Sequence, residues 1–204
     1  MLFDDTYRTI SQSSEGIFRD KGSKFIAVAY PIKALNEIKP LVEDLRSKHP
    51  KARHFCWATR LTTDRSVFKI NDDGEPSGTA GRPILNSLLS ADLTNILVVV
   101  VRYFGGTLLG VAGLINAYKT ATIEALSVAD IVMKTVNDHY KVTFSYAQMN
   151  DVMRIIKEEQ LQPINQLFDA QCSLGLEIRK SKLNAVLQKF DKLEEVQTEY
   201  LGSI

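Results

Sequence analysis

Apolar positions before residue 136 follow two spacings, one typical of strands and one typical of helices. Residues 25–30 alternate with the period of two that a strand produces, and a turn at 20–22 separates them from a shorter strand. The run ILVVVVRYF at 96–104 has the length and the branched residues of a strand that is buried on both faces. Further strands are predicted at 53–61 and 67–70, and residues 131–136 form a last strand or an exit segment.

Two segments of the same region carry apolar residues at helical spacing. In the first, apolar positions recur between Leu35 and Leu45. Asn36 is the predicted N-cap of this helix, which leaves Pro40 in the tolerant first turn. The second helix follows the glycine-rich segment GGTLLGVAG at 105–113. Its predicted buried stripe consists of Leu114, Tyr118, Ala121, Ala125 and Val128.

From about residue 139 the pattern starts again. Strands are predicted at 139–146, 164–169, 172–178 and 194–201, with a short turn at Ala170–Gln171 between the middle two. Amphipathic helices are predicted at 149–156 and 183–190, the second of them capped by Ser181. The order β-α-β-β-α-β is the split βαβ or ferredoxin-like arrangement. The sequence therefore predicts an α+β protein with an N-terminal domain at 1–136 and a ferredoxin-like domain at 137–204.

Composition narrows the class of protein further. The 204 residues carry a net charge of +1, which predicts neither a strong nucleic-acid binder nor a self-repelling acidic protein. Cys56 and Cys172 are far apart and form no C-x-x-C, which argues against a disulfide scaffold or a zinc ribbon. The start MLFDDTYRTI has no basic n-region, and the apolar run at 96–101 is too short to span a bilayer. We therefore expect a soluble cytoplasmic protein.

Positive charge is most concentrated between residues 46 and 65, which contain six lysines and arginines and one acid, Asp64. A local excess of this kind is the electrostatic footprint of a surface that contacts phosphate groups. Lys48, Lys51 and Arg53 are the residues predicted to contact nucleic acid.

The segment DDGEPSGTAGRPIL at 72–85 combines three carboxylates with glycines and prolines, which makes it costly to order. Its acids lack the register of an EF-hand loop, although one Mg²⁺ held by one or two of them and a phosphate fits the composition. The alternative is a polar turn with exposed acids, since acids in such loops are usually solvated. Both interpretations stay open, and the turn is favoured.

Tests for other chemistry give incomplete matches. The glycines at 105–113 have neither the Lys-Ser/Thr of a Walker A loop nor the G-x-G-x-x-G spacing of a dinucleotide-binding turn. Close helix–strand packing explains them better, although a helix start at Gly110–Gly113 is compatible with a phosphate. Cys56 and His54 share one face of a strand but lie too far apart for a good Cys–His contact, so Cys56 is predicted to be a buried thiol.

Arg102 and Tyr103 end the most buried strand, directly before the glycines. A charge at this place either pairs with an acid or reaches a ligand at the end of the strand. We predict that Arg102 pairs with Asp73 or Glu75, which would tie the two glycine-containing segments together. His54 could serve as an acid–base group or as an anion contact beside the same loop.

Four segments together resemble the Impact family, and in particular its bacterial two-domain branch. They are GSKF at 22–25, HFCWA at 54–58, DDGEPSGTAGRPIL at 72–85 and VVVVRYFGGTLLGVAGLINAY at 98–118. The combination of the last two is highly specific, and the resemblance covers the whole chain. One departure is Ala112, where the family usually has glycine, and this change makes a tight ligand approach at that atom less favourable.

The resemblance implies a fold for each domain and a role in translation. The N-terminal domain should share the fold of the second domain of a small-subunit ribosomal protein and of domain IV of the translocating elongation factor. The C-terminal domain should look like the ferredoxin-like last domain of that factor. Eukaryotic Impact proteins regulate translation by competing for the activator of an amino-acid-starvation kinase, and they associate with ribosomes. A contact with RNA or the ribosome follows for this chain by analogy of fold.

We therefore expect a translation-associated regulatory binding protein that contacts RNA, the ribosome or a protein partner through its N-terminal domain. The alternative is a small enzyme or a phosphate- or nucleotide-binding protein with its site at 72–82. The residues form no complete catalytic constellation, no metal or cofactor is predicted, and the balance is against an enzyme. The residues predicted to bind a ligand are Lys24, His54, Asp73, Glu75, Ser77, Thr79, Arg82, Arg102 and Tyr103.

Overall fold

The computed structural model describes residues 5–169 and 171–203, and Ala170 of the predicted turn lies outside them. The chain divides into two compact units. One unit contains Tyr7–Lys134, and the other contains the described residues before Tyr7 together with those from Thr135 onward. Helices and antiparallel sheets occur in the chain, which confirms the predicted α+β class. Within the described residues, no helix is long and apolar enough to cross a membrane.

The first unit is built on a five-stranded sheet. The strands up to residue 135 are β1 (Thr6–Ile10), β2 (Ser14–Asp20), β3 (Ser23–Pro31), β4 (His54–Leu61), β5 (Val67–Asn71), β6 (Ile96–Tyr103) and β7 (Ile131–Thr135). The sheet has the order β2-β3-β6-β4-β5 with every neighbouring pair antiparallel, whereas β1 pairs with β7. The apolar residues 96–101 of the central strand β6 are fully buried, as the sequence predicts.

Helices cover both faces of this sheet, which is why β6 is buried on both sides. They are α1 (Ile38–Lys48), α2 (Gly81–Ser90) and α3 (Gly110–Ser127). The apolar side chains of α1 pack on one face, and those of α2 and α3 pack on the other. The helix α2 is not predicted by the sequence pattern, because it begins inside the segment at 72–85 that has the composition of a loop.

The second unit has the predicted element order β-α-β-β-α-β. Its elements are β8 (Asn137–Phe144), α4 (Met149–Glu158), β9 (Pro163–Phe168), β10 (Cys172–Arg179), α5 (Leu183–Phe190) and β11 (Val196–Ser203). The sheet is antiparallel with the order β11-β8-β10-β9, and both helices contribute side chains to one core with it. Asp5 joins this unit through two hydrogen bonds from the Arg179 guanidinium, at 2.6 and 2.9 Å.

Three local predictions are wrong. Asn36 and Ser181 do not cap helices, because each lies within a single 3-10 turn that precedes the helix. At the first of these turns the carboxylate of Glu37 accepts hydrogen bonds from the preceding backbone instead. Val128 is largely exposed rather than buried, since α3 ends one residue before it.

Candidate functional site

The three carboxylates of residues 72–80, here called the acidic loop, are all held by hydrogen bonds within the first unit. The loop connects β5 to α2, and its backbone turns tightly enough to require positive φ angles at Asp73, Gly74 and Gly78. Aspartate tolerates this conformation better than most residues, and glycine adopts it freely. The segment is a turn, as the favoured interpretation predicts, but its acids are not exposed: Glu75 is buried, and Asp72 and Asp73 are half-buried.

Asp72 caps the helix α2, although it is remote from the start of the helix in the sequence. One of its carboxylate oxygens accepts the N–H groups of Ala80 and Gly81 at 3.1 and 2.8 Å, and the other accepts that of Gly78 at 2.9 Å. The N-cap residue of α2 is Ala80, which has no side chain that could cap the helix. Since the first N–H groups of a helix lack partners within it, Asp72 supplies what the local sequence does not.

Asp73 connects the loop to β4 and to α1. Its carboxylate accepts the N–H of Phe55 at 2.7 Å and pairs with the Arg46 guanidinium at 2.8 Å. The backbone carbonyl of Asp73 lies 2.9 Å from Nδ1 of His54. Because a carbonyl oxygen only accepts hydrogen bonds, this contact places the proton of a neutral His54 on Nδ1 and leaves Nε2 as an acceptor.

Glu75 and Arg102 form a buried ion pair. Oε1 of Glu75 lies 2.6 Å from Nη1 of Arg102, and less than a tenth of either side chain is exposed. The prediction that Arg102 pairs with Asp73 or Glu75 is thus confirmed, with Glu75 as the partner, whereas Asp73 pairs with Arg46. Rings of Phe25 and Phe104 lie 5.5 and 5.7 Å from the Arg102 guanidinium carbon, within the range of cation–π contacts.

Cys56 and Tyr118 complete this cluster on the same side of the sheet. The Tyr118 hydroxyl donates to Oε1 of Glu75 at 2.8 Å, and Sγ of Cys56 lies 3.2 Å from that hydroxyl and 3.0 Å from the carbonyl of Asp72. Burial raises the pKa of both the Cys56 thiol and the Tyr118 hydroxyl. Both groups are therefore protonated at neutral pH, and a protonated, buried thiol is a poor nucleophile.

The glycines after β6 have two different roles. A Cβ on Gly105 would lie 1.9 Å from the carbonyl carbon of Gly22, so the turn between β2 and β3 packs directly on the end of β6. Gly106 and Gly110 have open space around them and adopt positive φ angles. Close packing, which the sequence predicts for this segment, therefore accounts for Gly105 but not for Gly106 or Gly110. Ala112 lies within α3 without a positive φ, so a side chain is tolerated there.

The residues predicted to bind a ligand separate into an inner and an outer group. The inner group consists of His54, Asp73, Glu75, Thr79 and Arg102, which hydrogen bonds and burial hold within the first unit. None of these five lines either of two surface grooves of the first unit, whose volumes are about 700 and 390 Å³. Among the described residues, no group of three or more His, Cys, Asp and Glu side chains is arranged to hold a metal ion.

The outer group consists of Lys24, Ser77, Arg82 and Tyr103. Ser77 and Arg82 are exposed, and Lys24 is half-buried. Tyr103 lies opposite Lys24 in the pairing of β6 with β3, and its hydroxyl is 2.9 Å from Nδ1 of His49. These side chains reach the surface on different elements and do not form one pocket.

The basic segment at 46–65 is largely neutralised in the structure. Lys48, a predicted nucleic-acid contact, pairs with Asp44 at 2.7 Å. Arg46 pairs with Asp73, and two further arginines of the segment both pair with Asp92. Over residues 5–169 and 171–203, no ion pair or side-chain hydrogen bond engages the charged groups of Lys51 and Arg53, which are exposed.

Lys51 and Arg53 lie at the same end of the sheet as three other cations. The start of β3, the end of β6 and the start of β4 coincide there, because β6 is antiparallel to both neighbours. With strands about 4.8 Å apart, the start of β3 lies about 10 Å from the start of β4. We call Arg19, Lys21, Lys24, Lys51 and Arg53 the basic end.

Arg19 and Lys21 of the basic end are not among the residues predicted from the sequence. Arg19 lies directly opposite Lys24 in the pairing of β2 with β3, and Lys21 occupies the turn between these strands. The hairpin at 13–30 is predicted, and its exact register would have revealed this juxtaposition. In the described part of the chain, Arg19, Lys21 and Lys24 also have no ion-pair partner.

Comparisons with known proteins agree with the resemblance. The family model of the Impact N-terminal domain matches residues 21–126. The chain is 35% identical to an IMPACT family member of Haemophilus influenzae, over 81% of either chain. It is 33% identical to the IMPACT family member YigZ of Escherichia coli, over 80% of this chain and 81% of YigZ. A crystal structure of a hypothetical protein, 28% identical, superposes with a TM-score of 0.75 and covers 97% of this chain and 98% of its own.

Proposed function

Since this chain belongs to the Impact family, we propose that it is a translation-associated regulatory binding protein that contacts RNA through the basic end. The observation that carries this proposal is the set of cations at one end of the five-stranded sheet that form no ion pair among the described residues. Cations without an internal partner are available to phosphate groups, whereas paired cations must first give up an acid. The regulatory role in translation rests on the resemblance to eukaryotic Impact proteins.

Single-stranded RNA is the form of RNA that suits this surface. Phe104 is half exposed directly after the end of β6, and its ring can stack on a base while the cations follow the backbone. The five cations lie on strand ends and in turns rather than along an α-helix, so they do not present a helix that would enter a groove of a duplex. Exposed loops of ribosomal RNA present such single strands, which links RNA binding to the ribosome.

We further propose the domain folds that the resemblance implies. The unit Tyr7–Lys134, within the predicted domain 1–136, forms the Impact-type domain with the fold of domain IV of the elongation factor, and the unit from Thr135 onward, predicted as 137–204, forms a ferredoxin-like domain. The order β11-β8-β10-β9, with α4 and α5 contributing to one core, supports the second assignment.

The alternative of a small enzyme or anion-binding site at 72–82 has less support from the geometry. Its proposed acids, Asp73 and Glu75, accept hydrogen bonds from Arg46, Phe55 and Arg102. A ligand would have to displace these partners and leave buried charges without compensation, which is unfavourable. Binding at the basic end requires no such rearrangement.

A salt titration of RNA binding tests the proposed function. For oligouridine, each phosphate contact should contribute about 0.7 to the negative slope of log affinity against log salt. The double variant Lys51→Glu with Arg53→Glu should bind about tenfold or more weakly and with a smaller slope. Lys157→Glu with Lys192→Glu, which makes the same charge change on the second unit, is the matched control. Equal affinity of wild type and the Lys51, Arg53 variant at low salt would refute the proposal.

A further inference from the structure

A second surface of the first unit is a groove between α2 and α3, on elements that do not form the basic end. It has a volume of about 700 Å³. Its apolar lining consists of Pro83, Ala91, Ile115, Ile123, Leu126 and Ile131. Ile115, Ile123 and Ile131 are each more than a third exposed, so the groove leaves aliphatic side chains in water. An apolar surface of this kind is typical of a site that another molecule covers.

The charges of the groove indicate the character of that molecule. Arg82 from α2 and Lys119 from α3 line it and are exposed, and the lining residues that the structure describes include no acid. In the part of the chain that the structure describes, neither side chain has an ion-pair or hydrogen-bond partner. A groove that combines aliphatic side chains with these two cations is complementary to a ligand whose apolar residues lie next to acidic ones.

The spacing along α3 fits a helix as the occupant. Ile115, Lys119 and Ile123 follow one another at intervals of four residues and so lie along one stripe of the helix. Ile115 and Ile123 are about 12 Å apart along the axis, or roughly two turns. A second helix that packs beside α3 would present apolar residues two turns apart with an acid between them.

We propose that this groove binds an acidic amphipathic helix of a partner protein, with acids that pair with Arg82 and Lys119. RNA is a less suitable occupant because none of the described residues that line the groove is aromatic, and single-stranded RNA relies on aromatic stacking. The proposal concerns a surface separate from the basic end, so it holds or fails independently of RNA binding.

The test uses two synthetic peptides and the full chain. The acidic peptide carries leucines two helical turns apart with glutamates between them, and its isomer carries lysine in place of every glutamate. In titrations followed by amide chemical shifts, the acidic peptide should perturb residues 82–91 and 115–127, and the lysine isomer should not bind. Equal binding of the two peptides, or shifts confined to other residues, would overturn the proposal.

Charge variants separate the groove from general attraction. Arg82→Glu with Lys119→Glu should weaken binding of the acidic peptide about tenfold, while Lys157→Glu with Lys192→Glu should leave it unchanged. Circular dichroism establishes that each variant is folded. Arg82→Gln with Lys119→Gln, which removes both charges without reversing them, should give an intermediate loss of affinity for the acidic peptide. Unchanged affinity of the Arg82, Lys119 variants would contradict the proposal. If the wild-type chain forms dimers that these variants abolish, the groove binds a second copy of the chain. If oligouridine shifts the amide signals of the groove residues, the groove binds RNA.

Discussion

The acidic loop and the basic end lie close together in the first unit but use their charges in opposite ways. Each acid of the loop has hydrogen-bond donors within the unit, and Glu75 is buried with Arg102. The cations of the basic end have no ion-pair partner among residues 5–169 and 171–203. The segment with the denser charge in the sequence is therefore the one whose charges are least available to a ligand.

The charges of the two regions should therefore contribute to different properties, those of the acidic loop to stability and those of the basic end to ligand binding. A buried ion pair with its own hydrogen bonds resists the loss of either partner, because the remaining charge stays in a poorly hydrated place. An exposed cation contributes little to stability and can bind a phosphate at little cost. Substitutions in the acidic loop should therefore change the free energy of unfolding, whereas substitutions in the basic end should change affinity.

The largest expected effect is that of Glu75→Ala. It leaves Arg102 buried without its partner and removes the acceptor of the Tyr118 hydroxyl. The free energy of unfolding in urea should fall by about 3–5 kcal/mol. Glu43→Ala, which removes an exposed ion pair with Lys39, is the control and should cost less than about 1 kcal/mol. An equal decrease in the free energy of unfolding for the two variants would show that the buried ion pair stabilises the fold no more than the exposed one does.

A smaller effect is expected for Asp72→Ala, which removes the cap of α2. Three N–H groups lose their acceptor, and the free energy of unfolding should decrease by about 2 kcal/mol, the upper end for a helix cap. Asp72→Asn keeps one oxygen acceptor and should lose about half as much. If asparagine and alanine behave alike, the carboxylate does not act as the cap.

Lys51→Glu with Arg53→Glu should have almost no effect on stability. Both side chains are exposed and unpaired within the described residues, so the free energy of unfolding should stay within about 0.5 kcal/mol of wild type. Urea unfolding of the variant used for RNA binding measures this directly. A clear loss of stability would mean that these cations stabilise the fold and would remove the contrast with the acidic loop.

A separate effect concerns pH and a carboxylate outside both regions. Hydrogen bonds from Arg179 and Ser181 hold the pKa of Asp5 below its ordinary value. Because the folded pKa is lower than the unfolded one, the contribution of Asp5 to stability is present above about pH 4 and is lost as the pH falls below it. Thermal unfolding of wild type and Asp5→Asn between pH 7 and pH 3 measures it. Parallel pH profiles of the two proteins would contradict this assignment.

The sequence predicts most elements of both units because apolar periodicity follows burial on a sheet or helix. It does not predict α2, because the residue before the helix, Ala80, cannot cap it. The cap is the carboxylate of Asp72, which lies eight residues before Ala80 in the sequence. The pairing of Arg102 with Glu75 was accessible to sequence reasoning, since a cation at the end of a buried strand needs an acid. Which acid it takes depends on the path of the acidic loop, and that path is set by contacts with Arg46 and Phe55.

The apolar periodicity of the sequence could not predict which cations pair with acids of the chain and which are left to bind a ligand. Six cations between residues 46 and 65 form one cluster in the sequence, but four of them pair with acids that lie elsewhere in the fold or one helical turn away. Arg19 and Lys21 belong to the basic end only because the register of β2 and β3 brings them beside Lys24. Both facts depend on contacts between distant parts of the chain.

Amide chemical-shift mapping with oligouridine tests the central claim most directly, because it reports on the acidic loop and the basic end in one experiment. The account predicts shifts at residues 19–24, 51–54 and 103–106 that fade as salt is raised, with residues 72–81 unaffected. Shifts concentrated at 72–81, with none at the basic end, would contradict it and would assign ligand binding to the acidic loop.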